Sequence, residues 1–295
     1  MKVAVIGLGQ MGGNMARTLA SAGLQVTGLD PIEASRKQLE ADGIAVVAPD
    51  APLPQADVYL LSLPSSAQVE TVVLQTPNLL RHAPAGSVVM DASTSDPAST
   101  KVVAQKVLQA GLQWLDAPVS GGPAGAANGT LGMLLGGDAA TITRVQPVLN
   151  ALASKTTHVG GPGSGHVVKL ANNFLCATNL VAVAQAVAMA SHAGVEPQDC
   201  LAGINSGSGR SAVSEVNFPK WVLSNTFDSG FTMGLMRKDL RLAADAAKAV
   251  GLDPDMVDMV SSIWQANTDT LADASDFNQI VTQFLSGSRS GEAST

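Results

Sequence analysis

Lys169 stands in the segment GHVVKLANNFL, with Asn172 and Asn173 three and four residues later. In a helix those offsets put the ammonium and both amides on one face. A charge and two amides on an otherwise apolar helix are costly to bury without partners. Two readings fit. Either this is a solvated helix start whose amide caps a neighbouring loop, or Lys169 exchanges a proton with a substrate hydroxyl while an amide fixes that oxygen. Burial lowers a lysine pKa toward neutrality, which suits general acid–base work.

A second cluster, DAPVSGGPAG from Asp116 to Gly125, places Ser120, Gly121 and Gly122 after a strand end. Two bare glycines and a serine can turn successive N–H groups toward a carboxylate. A flexible turn is the plainer alternative. Ser93 and Thr94, in DAST, are hydroxyls at another strand end, suited to a cofactor ribose or a substrate carboxylate. Lys238 and Asp239, in MRKDLRLA, read either as a surface ion pair or as a cation closing over a cofactor near Thr94. His82, His158, His166 and His192 have no metal-ligand spacing, so no metal site is expected. His166 precedes Lys169 on the same helix and reads as lining a cleft rim.

The elements that must position these groups begin at VAVIGLGQMGGNMA, Val3 to Ala16. An apolar β-branched run stops at Gly7, and Gly7, Gly9 and Gly12 follow in G-x-G-x-x-G spacing before a helix-favouring stretch. Gly7 permits the tight strand-to-helix turn, Gly9 leaves room for a pyrophosphate, and Gly12 allows close helix–strand packing. Leu8, Gln10 and Met11 share that loop and complete the expected cofactor contacts. An anion would sit at the helix N-terminus, on free N–H groups. VTGLD forms a second strand ending in Asp30, roughly 20 residues on, where a carboxylate accepts ribose hydroxyls. A carboxylate repels a 2′-phosphate, and Pro31 and Ile32 cannot hold one, so the pattern favours NAD over NADP. Arg36 and Lys37 fall later, on the next helix.

Short apolar strands then alternate with helices: Lys2–Ile6, Val26–Leu29, Val58–Ser62, Ser87–Asp91, Gln113–Asp116, Met133–Leu135 and Thr156–Val159. Between them lie helical stretches such as Met11–Ala22, Glu33–Ala41, Pro97–Ala110 and Ala139–Ala153. That alternation implies an α/β Rossmann domain with a doubly wound, mostly parallel sheet. Ligands bind at the carboxyl ends of such strands. The loops there are Gly7–Gly12, Leu63–Ser66, Ala92–Ser95 and Pro118–Gly122, each rich in Gly, Ser, Thr or Pro. The character changes at GGPGSG, Gly160–Gly165. A long helix is expected from His166 to Ala193, capped by Gly194, then helices Pro197–Asn205, Met236–Val250 and Pro254–Leu271. The partition read from the sequence is a nucleotide-binding domain over 1–162, an all-α substrate and oligomerisation domain over 163–285, and a disordered tail over 286–295.

Composition narrows the partners. With 295 residues, 46% hydrophobic and 14% charged, the chain can bury a sizeable core. A net charge of −7 argues against nucleic acid or an anionic membrane surface. Cys176 and Cys200 lack metal or redox-motif spacing and read as two free thiols in a reducing cytoplasm. The first residues enter a strand at once, so no leader peptide is expected. Phe174 to Val195 carries no formal charge over the length of a spanning helix, but Thr178, Asn179, Gln185, Ser191 and His192 oppose insertion. A buried soluble helix is expected there, with the apolar surface of the helical domain covered in a homodimer or homotetramer.

Taken together, VAVIGLGQMGGNMA, LSLPSSAQVETVV, DASTSDP, DAPVSGGPAGAANGTL, GHVVKLANNFL, GSGRS, GFTMGLMRKDLRLA and ASDFNQIV resemble, nearly end to end, the β-hydroxyacid dehydrogenases of the 3-hydroxyisobutyrate dehydrogenase group. The resemblance implies a Rossmann domain joined by a long helix to an all-α domain, with the active site between them. It implies Lys169 as catalytic acid/base supported by Asn173, and Ser120, Gly121 and Gly122 as the holder of the substrate carboxylate. Thr94 would border both ligands, Leu63, Pro64 and Lys238 would contact the cofactor, and Phe231 and Asp239 would line the cleft. Asn14 departs from the proline common in the family, and Arg210 falls in the variable substrate region. The expected activity is NAD-dependent oxidation of a small 3-hydroxy acid. The alternatives are a reductase of a semialdehyde or glyoxylate-like substrate, and a threonate or serine-type dehydrogenase. A 6-phosphogluconate-type decarboxylating enzyme needs a longer helical domain, and a non-catalytic NAD-binding module would lack Lys169 and the Ser-Gly-Gly cradle.

Overall fold

The computed structural model describes residues 1–48, 51–75, 79–266 and 268–285; the expected tail 286–295 lies outside the described residues. The chain divides into two compact units, Met1–Lys169 and Leu170–Thr295.

The first unit is built on nine strands: β1 (Lys2–Ile6), β2 (Gln25–Leu29), β3 (Ala45–Val47), β4 (Val58–Leu61), β5 (Val88–Asp91), β6 (Gln113–Asp116), β7 (Val119–Ser120), β8 (Leu131–Gly137) and β9 (Ala153–Gly160). Their order is β3-β2-β1-β4-β5-β6-β8-β7, with β9 paired to β8. Strands β1 to β6 run parallel. β8 is antiparallel to β6 and β7 and parallel to β9. The chain winds outward from β1 to β3, then returns to β4 on the other side of β1. That reversal opens a crevice at the carboxyl ends of β1 and β4, where open α/β sheets bind ligands.

Burial explains why these strands read as continuous apolar runs. Val3 and Val5 pack with Met15, Leu19, Val148 and Leu152 on one face. Ala4 and Ile6 pack with Val103, Val107 and Leu112 on the other. Successive side chains point to opposite faces, so a sheet covered on both sides needs apolar residues at every position.

Several boundaries differ from the sequence expectation for physical reasons. The helix expected over Ala139–Ala153 is two, Ala139–Arg144 and Gln146–Leu152, and Ala153 already belongs to β9. Pro147 lacks an N–H and so starts a helix better than it continues one. β8 extends well beyond Met133–Leu135, because Gly132, Gly136 and Gly137 hide its strand character. At Gly136 a Cβ would lie 2.2 Å from the Asp116 carboxylate, so packing demands glycine there. β3 and β7 are too short to show an alternation.

The second unit is helical. It takes in most of Ser164–His192, followed by Pro197–Asn205, a wide i→i+5 helix Val213–Val222, Met233–Ala249, Asp255–Gln265 and the short turns Phe277–Val281 and Thr282–Leu285. Leu180, Val187, Phe218, Met236, Leu240, Trp264 and Ile280 form its core. Among the described residues it holds no strand, only an isolated bridge between Thr232 and Asp276. Val213–Val222 was not expected because it contains Pro219, which ordinary α-helical hydrogen bonding excludes. The helix expected to reach Leu271 ends at Gln265, before the weak helix formers Thr268, Asp269 and Thr270. Ser164–His192 is long and apolar enough by length and composition to cross a membrane, with a best-window mean hydropathy of 1.6. Cys176 and Cys200 are free thiols.

Candidate active site

The loop after β1 is shaped by its glycines. Gly7 adopts φ +92°, and a Cβ there would lie 2.3 Å from the Ser62 carbonyl oxygen. At Gly12 a Cβ would lie 1.8 Å from the carbonyl oxygen of Gly7, so the helix Gln10–Ser21 can sit this close only with glycine. Gly9 differs. Its φ is −63°, and a Cβ there would meet nothing within 4 Å. The fold itself makes no demand for glycine at Gly9. It also caps the N-terminus of that helix, whose first turn has neither a side-chain cap nor an acidic residue. Open space in front of free N–H groups fits a dinucleotide pyrophosphate.

Asp30, at the end of β2, faces this loop. Its Oδ2 accepts from the Leu8 N–H at 2.6 Å and its Oδ1 from the Ile32 N–H at 2.7 Å. Each carboxylate oxygen has a second lone pair, so a fixed carboxylate keeps acceptor capacity for ribose hydroxyls. Arg36 was placed by sequence on the next helix and given no role. Its guanidinium reaches back to the carbonyls of Asp30, at 2.6 Å, and Pro31, at 3.0 Å.

Two further loops line the carboxyl ends of the sheet. The Leu63 N–H donates to Ser93 Oγ at 2.9 Å, tying the Leu63–Pro64 segment to the Ser93–Thr94 segment. Ser93 is held by its own N–H on Asp91 Oδ1, and Ser95 donates to Asp91 Oδ2. Pro64 is exposed and Thr94 is half-buried.

The Ser120–Gly122 segment turns with φ +120° at Gly121 and +61° at Gly122, two successive left-handed values that only glycine adopts freely. Ser120 itself is paired in β7 with Gly132 of β8. Lys169 Nζ donates to Ser120 Oγ at 3.2 Å, and Lys169 is only 6% exposed. Of the alternatives left open by sequence, a solvated lysine is therefore excluded. Asn14 donates to the Pro123 carbonyl at 3.2 Å, so this departure from the family pattern links the first helix to the segment after Gly122.

Beneath these groups lies a polar cluster that sequence reading missed. Asp116, fully buried at the end of β6, accepts from the backbone N–H of Gly163 at 2.7 Å, of Gly165 at 2.8 Å and of His166 at 3.4 Å, and from the Trp114 indole at 3.2 Å. Burial pushes the Asp116 carboxyl above the usual carboxylate range, opposed by the nearby His166 and by the Gly163, Trp114 and Gly165 donors. His166 does not line a rim. Its imidazole is 0% exposed, with Nδ1 on Thr100 Oγ1 at 2.8 Å and Nε2 on the Ser93 carbonyl at 3.1 Å. The only sequence signal was an acid closing a strand, with no means of telling what it held.

In the second unit, Asn173 donates to Asp239 Oδ2 at 2.6 Å, and Asn172 donates to Asn173 Oδ1 at 3.1 Å. Lys238 Nζ lies 3.3 Å from Asp239 Oδ1. Asp239 is buried, so it is not half of a surface pair. Phe231 stacks edge-on against Phe277 with centroids 5.2 Å apart. Arg210 is exposed beside Glu215 at 3.7 Å.

Comparison with known proteins bears on both units. The family model described as the NAD binding domain of 6-phosphogluconate dehydrogenase matches residues 2–160. The one described as NAD-binding of NADP-dependent 3-hydroxyisobutyrate dehydrogenase matches residues 163–284. The chain is 35% identical to the 2-(hydroxymethyl)glutarate dehydrogenase of Eubacterium barkeri, over 90% of this chain and 88% of that protein. It is 36% identical to the NAD-dependent L-serine dehydrogenase of Pseudomonas aeruginosa, over 90% of this chain and 91% of that protein. Among solved structures, the Mycobacterium tuberculosis 3-hydroxyisobutyrate dehydrogenase with L-serine matches with a TM-score of 0.88 at 33% identity, covering 96% of this chain and 98% of that one.

Proposed function

The chain belongs to the β-hydroxyacid dehydrogenases of the 3-hydroxyisobutyrate dehydrogenase type, NAD-dependent oxidoreductases of hydroxy acids, and from that premise we propose that it oxidises a small 3-hydroxy acid resembling 3-hydroxyisobutyrate, with Lys169 as general acid/base. The observation that carries this reading is a buried lysine whose Nζ donates to Ser120 Oγ at 3.2 Å, beside two glycines in left-handed conformations. Ser120 and the N–H groups of Gly121 and Gly122 hold the substrate carboxylate. Lys169 Nζ takes the hydroxyl proton on oxidation and returns it on reduction of the carbonyl. Asn173, one helical turn on and fixed by Asp239, supports the lysine, while Asp239 and Phe231 bear on the substrate. The segments Gly7–Gly12, Asp30, Leu63–Pro64, Thr94 and Lys238 hold the cofactor, which when bound supplies the hydride acceptor. The nucleotide part spans 1–162 and the helical part 163–285.

Lys169→Ala is expected to lower kcat by about 10²–10⁴ with little change in NADH affinity. Lys169→Arg is nearly as damaging, since arginine does not release a proton at working pH. The wild-type oxidation rate is expected to rise with pH, since only an unprotonated amine accepts the hydroxyl proton. A Lys169→Ala enzyme with wild-type kcat and pH profile refutes the assignment.

A serine-type substrate is the second reading. One relative is an L-serine dehydrogenase, and a similar solved structure is of a 3-hydroxyisobutyrate dehydrogenase with L-serine. Initial rates with 3-hydroxyisobutyrate, L-serine, threonate, glycerate and 4-hydroxybutyrate decide between them. The protein acts in the cytoplasm as a soluble homodimer or homotetramer. The exposed Val167, Val168, Leu175 and Met189 on Ser164–His192 support a covered helix face.

A further inference from the structure

The imidazole of His166 has no exposed surface, yet both of its nitrogens are engaged. Nε2 faces the Ser93 carbonyl, which only accepts, so Nε2 carries a hydrogen. Nδ1 pairs with Thr100 Oγ1 at 2.8 Å, and the same hydroxyl donates to the Asp96 carbonyl at 2.9 Å. No ring nitrogen is left to touch a substrate, so His166 is not an alternative base. Its backbone N–H joins those of Gly163 and Gly165 on Asp116. The Asp91 carboxylate lies 3.8 Å from Nε2. Three elements therefore meet on this one residue: the loop after β5, the end of β6, and the helix Pro97–Gln109 through Thr100.

Lys169 follows three residues later, about one helical turn on. Ser93, on the other side of the ring, holds the Leu63 N–H and precedes Thr94. A continuous series of contacts thus runs from Leu63 through Ser93 and His166 to the turn that carries Lys169. We propose that His166 is a positioning residue: it locks the first turn of the Ser164–His192 helix to the Ser93–Thr94 loop, so that the Lys169 ammonium is aimed at the Ser120 cradle. This inference rests on the reading of Lys169 as acid/base. Misplacing a catalytic group by about 1 Å can cost up to roughly 10²-fold in rate, which sets the expected size of the effect.

The test compares His166→Ala and His166→Gln, alone and on Lys169→Ala, by kcat, KM, pH profile, NADH binding by fluorescence, and melting temperature. Glutamine keeps an N–H for the Ser93 carbonyl and a second polar atom for the Thr100 hydroxyl. His166→Ala is expected to lower kcat about 10–100-fold, with NADH affinity and the shape of the pH profile retained. His166→Gln restores kcat to within about threefold of wild type. On Lys169→Ala, the further loss from His166→Ala shrinks below about threefold, because a residue acting through the lysine has nothing left to position. The proposal is overturned if His166→Ala keeps kcat within threefold, if its full loss persists without Lys169, or if His166→Gln melts like wild type but is as slow as alanine. Thr100→Val removes the hydroxyl that pairs with Nδ1 while keeping the side chain's shape. It is expected to lower kcat severalfold, and an unchanged kcat overturns the proposal even where His166→Ala fails to fold. A fully active Lys169→Ala enzyme instead refutes the base assignment itself, whatever the His166 variants do.

Discussion

Gly9 and Gly12 lie in one motif but should fail in different ways when a methyl is added. At Gly12 the new Cβ would lie 1.8 Å from a backbone carbonyl oxygen. Relief requires the helix to move by more than 1 Å, on the order of the contact deficit, and overpacking of that kind costs about 1–3 kcal/mol or more. At Gly9 the new Cβ meets nothing within 4 Å, and the φ of −63° suits any residue. Alanine is a poorer N-cap than glycine by a few tenths of a kcal/mol or more. It also loses about 0.4–1 kcal/mol less backbone entropy on folding, so the net stability change is close to zero. Binding is another matter. A methyl in front of the free N–H groups keeps the pyrophosphate from at least one of them, and a hydrogen bond to a charged group contributes about 1.5–3 kcal/mol. At 1.4 kcal/mol per tenfold, that is roughly a 10- to 150-fold weaker NADH complex. Thermal unfolding and NADH fluorescence titration of both variants separate the two effects. Gly9→Ala that melts like wild type and binds NADH within twofold of wild type would refute the claim that this glycine is kept for the cofactor.

Other outcomes follow from the same geometry. The wild-type enzyme is expected to show higher kcat/KM with NAD than with NADP, and Asp30→Ser with Pro31→Arg to shift toward NADP, aided by the Arg36 guanidinium already on the Asp30 and Pro31 carbonyls; equal efficiencies in the wild type refute this. Light scattering should give a dimer or tetramer, and a monomer at micromolar concentration refutes the oligomer. Asp116 is held above the usual carboxylate range, so its native form binds a proton more readily than its unfolded form, and its contribution to stability falls as pH rises from about 4 through the raised value. Asp116→Asn turns an acceptor into a donor facing backbone N–H groups and should cost about 1–3 kcal/mol. In urea unfolding that deficit should be larger near pH 4 than at pH 7, and a deficit that grows with pH refutes the direction.

Much of this was legible because it is local. The packing tasks of Gly7 and Gly12 follow from their spacing between a strand and a helix, and the apolar runs of β1, β4 and β5 mark a sheet buried on both faces. Elements were lost where a residue needed for tertiary packing contradicts local propensity. Gly136 lies inside β8 because a Cβ would meet Asp116, and Pro219 lies inside the wide helix Val213–Val222. Side-chain roles were lost where partners are remote in sequence. His166 bonds to Ser93, 73 residues away, and to Thr100, 66 away. Neither partner is visible from the segment GHVVKLANN, so a buried brace read as a rim residue. Arg36 lies on the next helix as expected, but the reach of its guanidinium to carbonyls five and six residues back depends on how the helix Glu33–Ala41 leaves β2.

Lys169 and Ser120 owe their spacing to one short stretch of chain. β6 ends at Asp116, and Ser120 follows four residues later in β7, where Val119 and Ser120 pair with Met133 and Gly132 of β8. Asp116 spends both oxygens on the backbone of Gly163, Gly165 and His166, the segment that opens the helix carrying Lys169. Neither Gly136 nor Gly165 leaves room for a Cβ beside Asp116 Oδ2, where the distances would be 2.2 and 2.7 Å. Backbone therefore closes around the carboxylate from β8 on one side and the helix start on the other. The same strand end that fixes the origin of the lysine's helix also fixes the serine the lysine meets. Preorganisation of this kind rests on rigid elements rather than on loops. A buried acid whose burial raises its pKa thus ties the strand that leads to Ser120 to the start of the helix that carries Lys169.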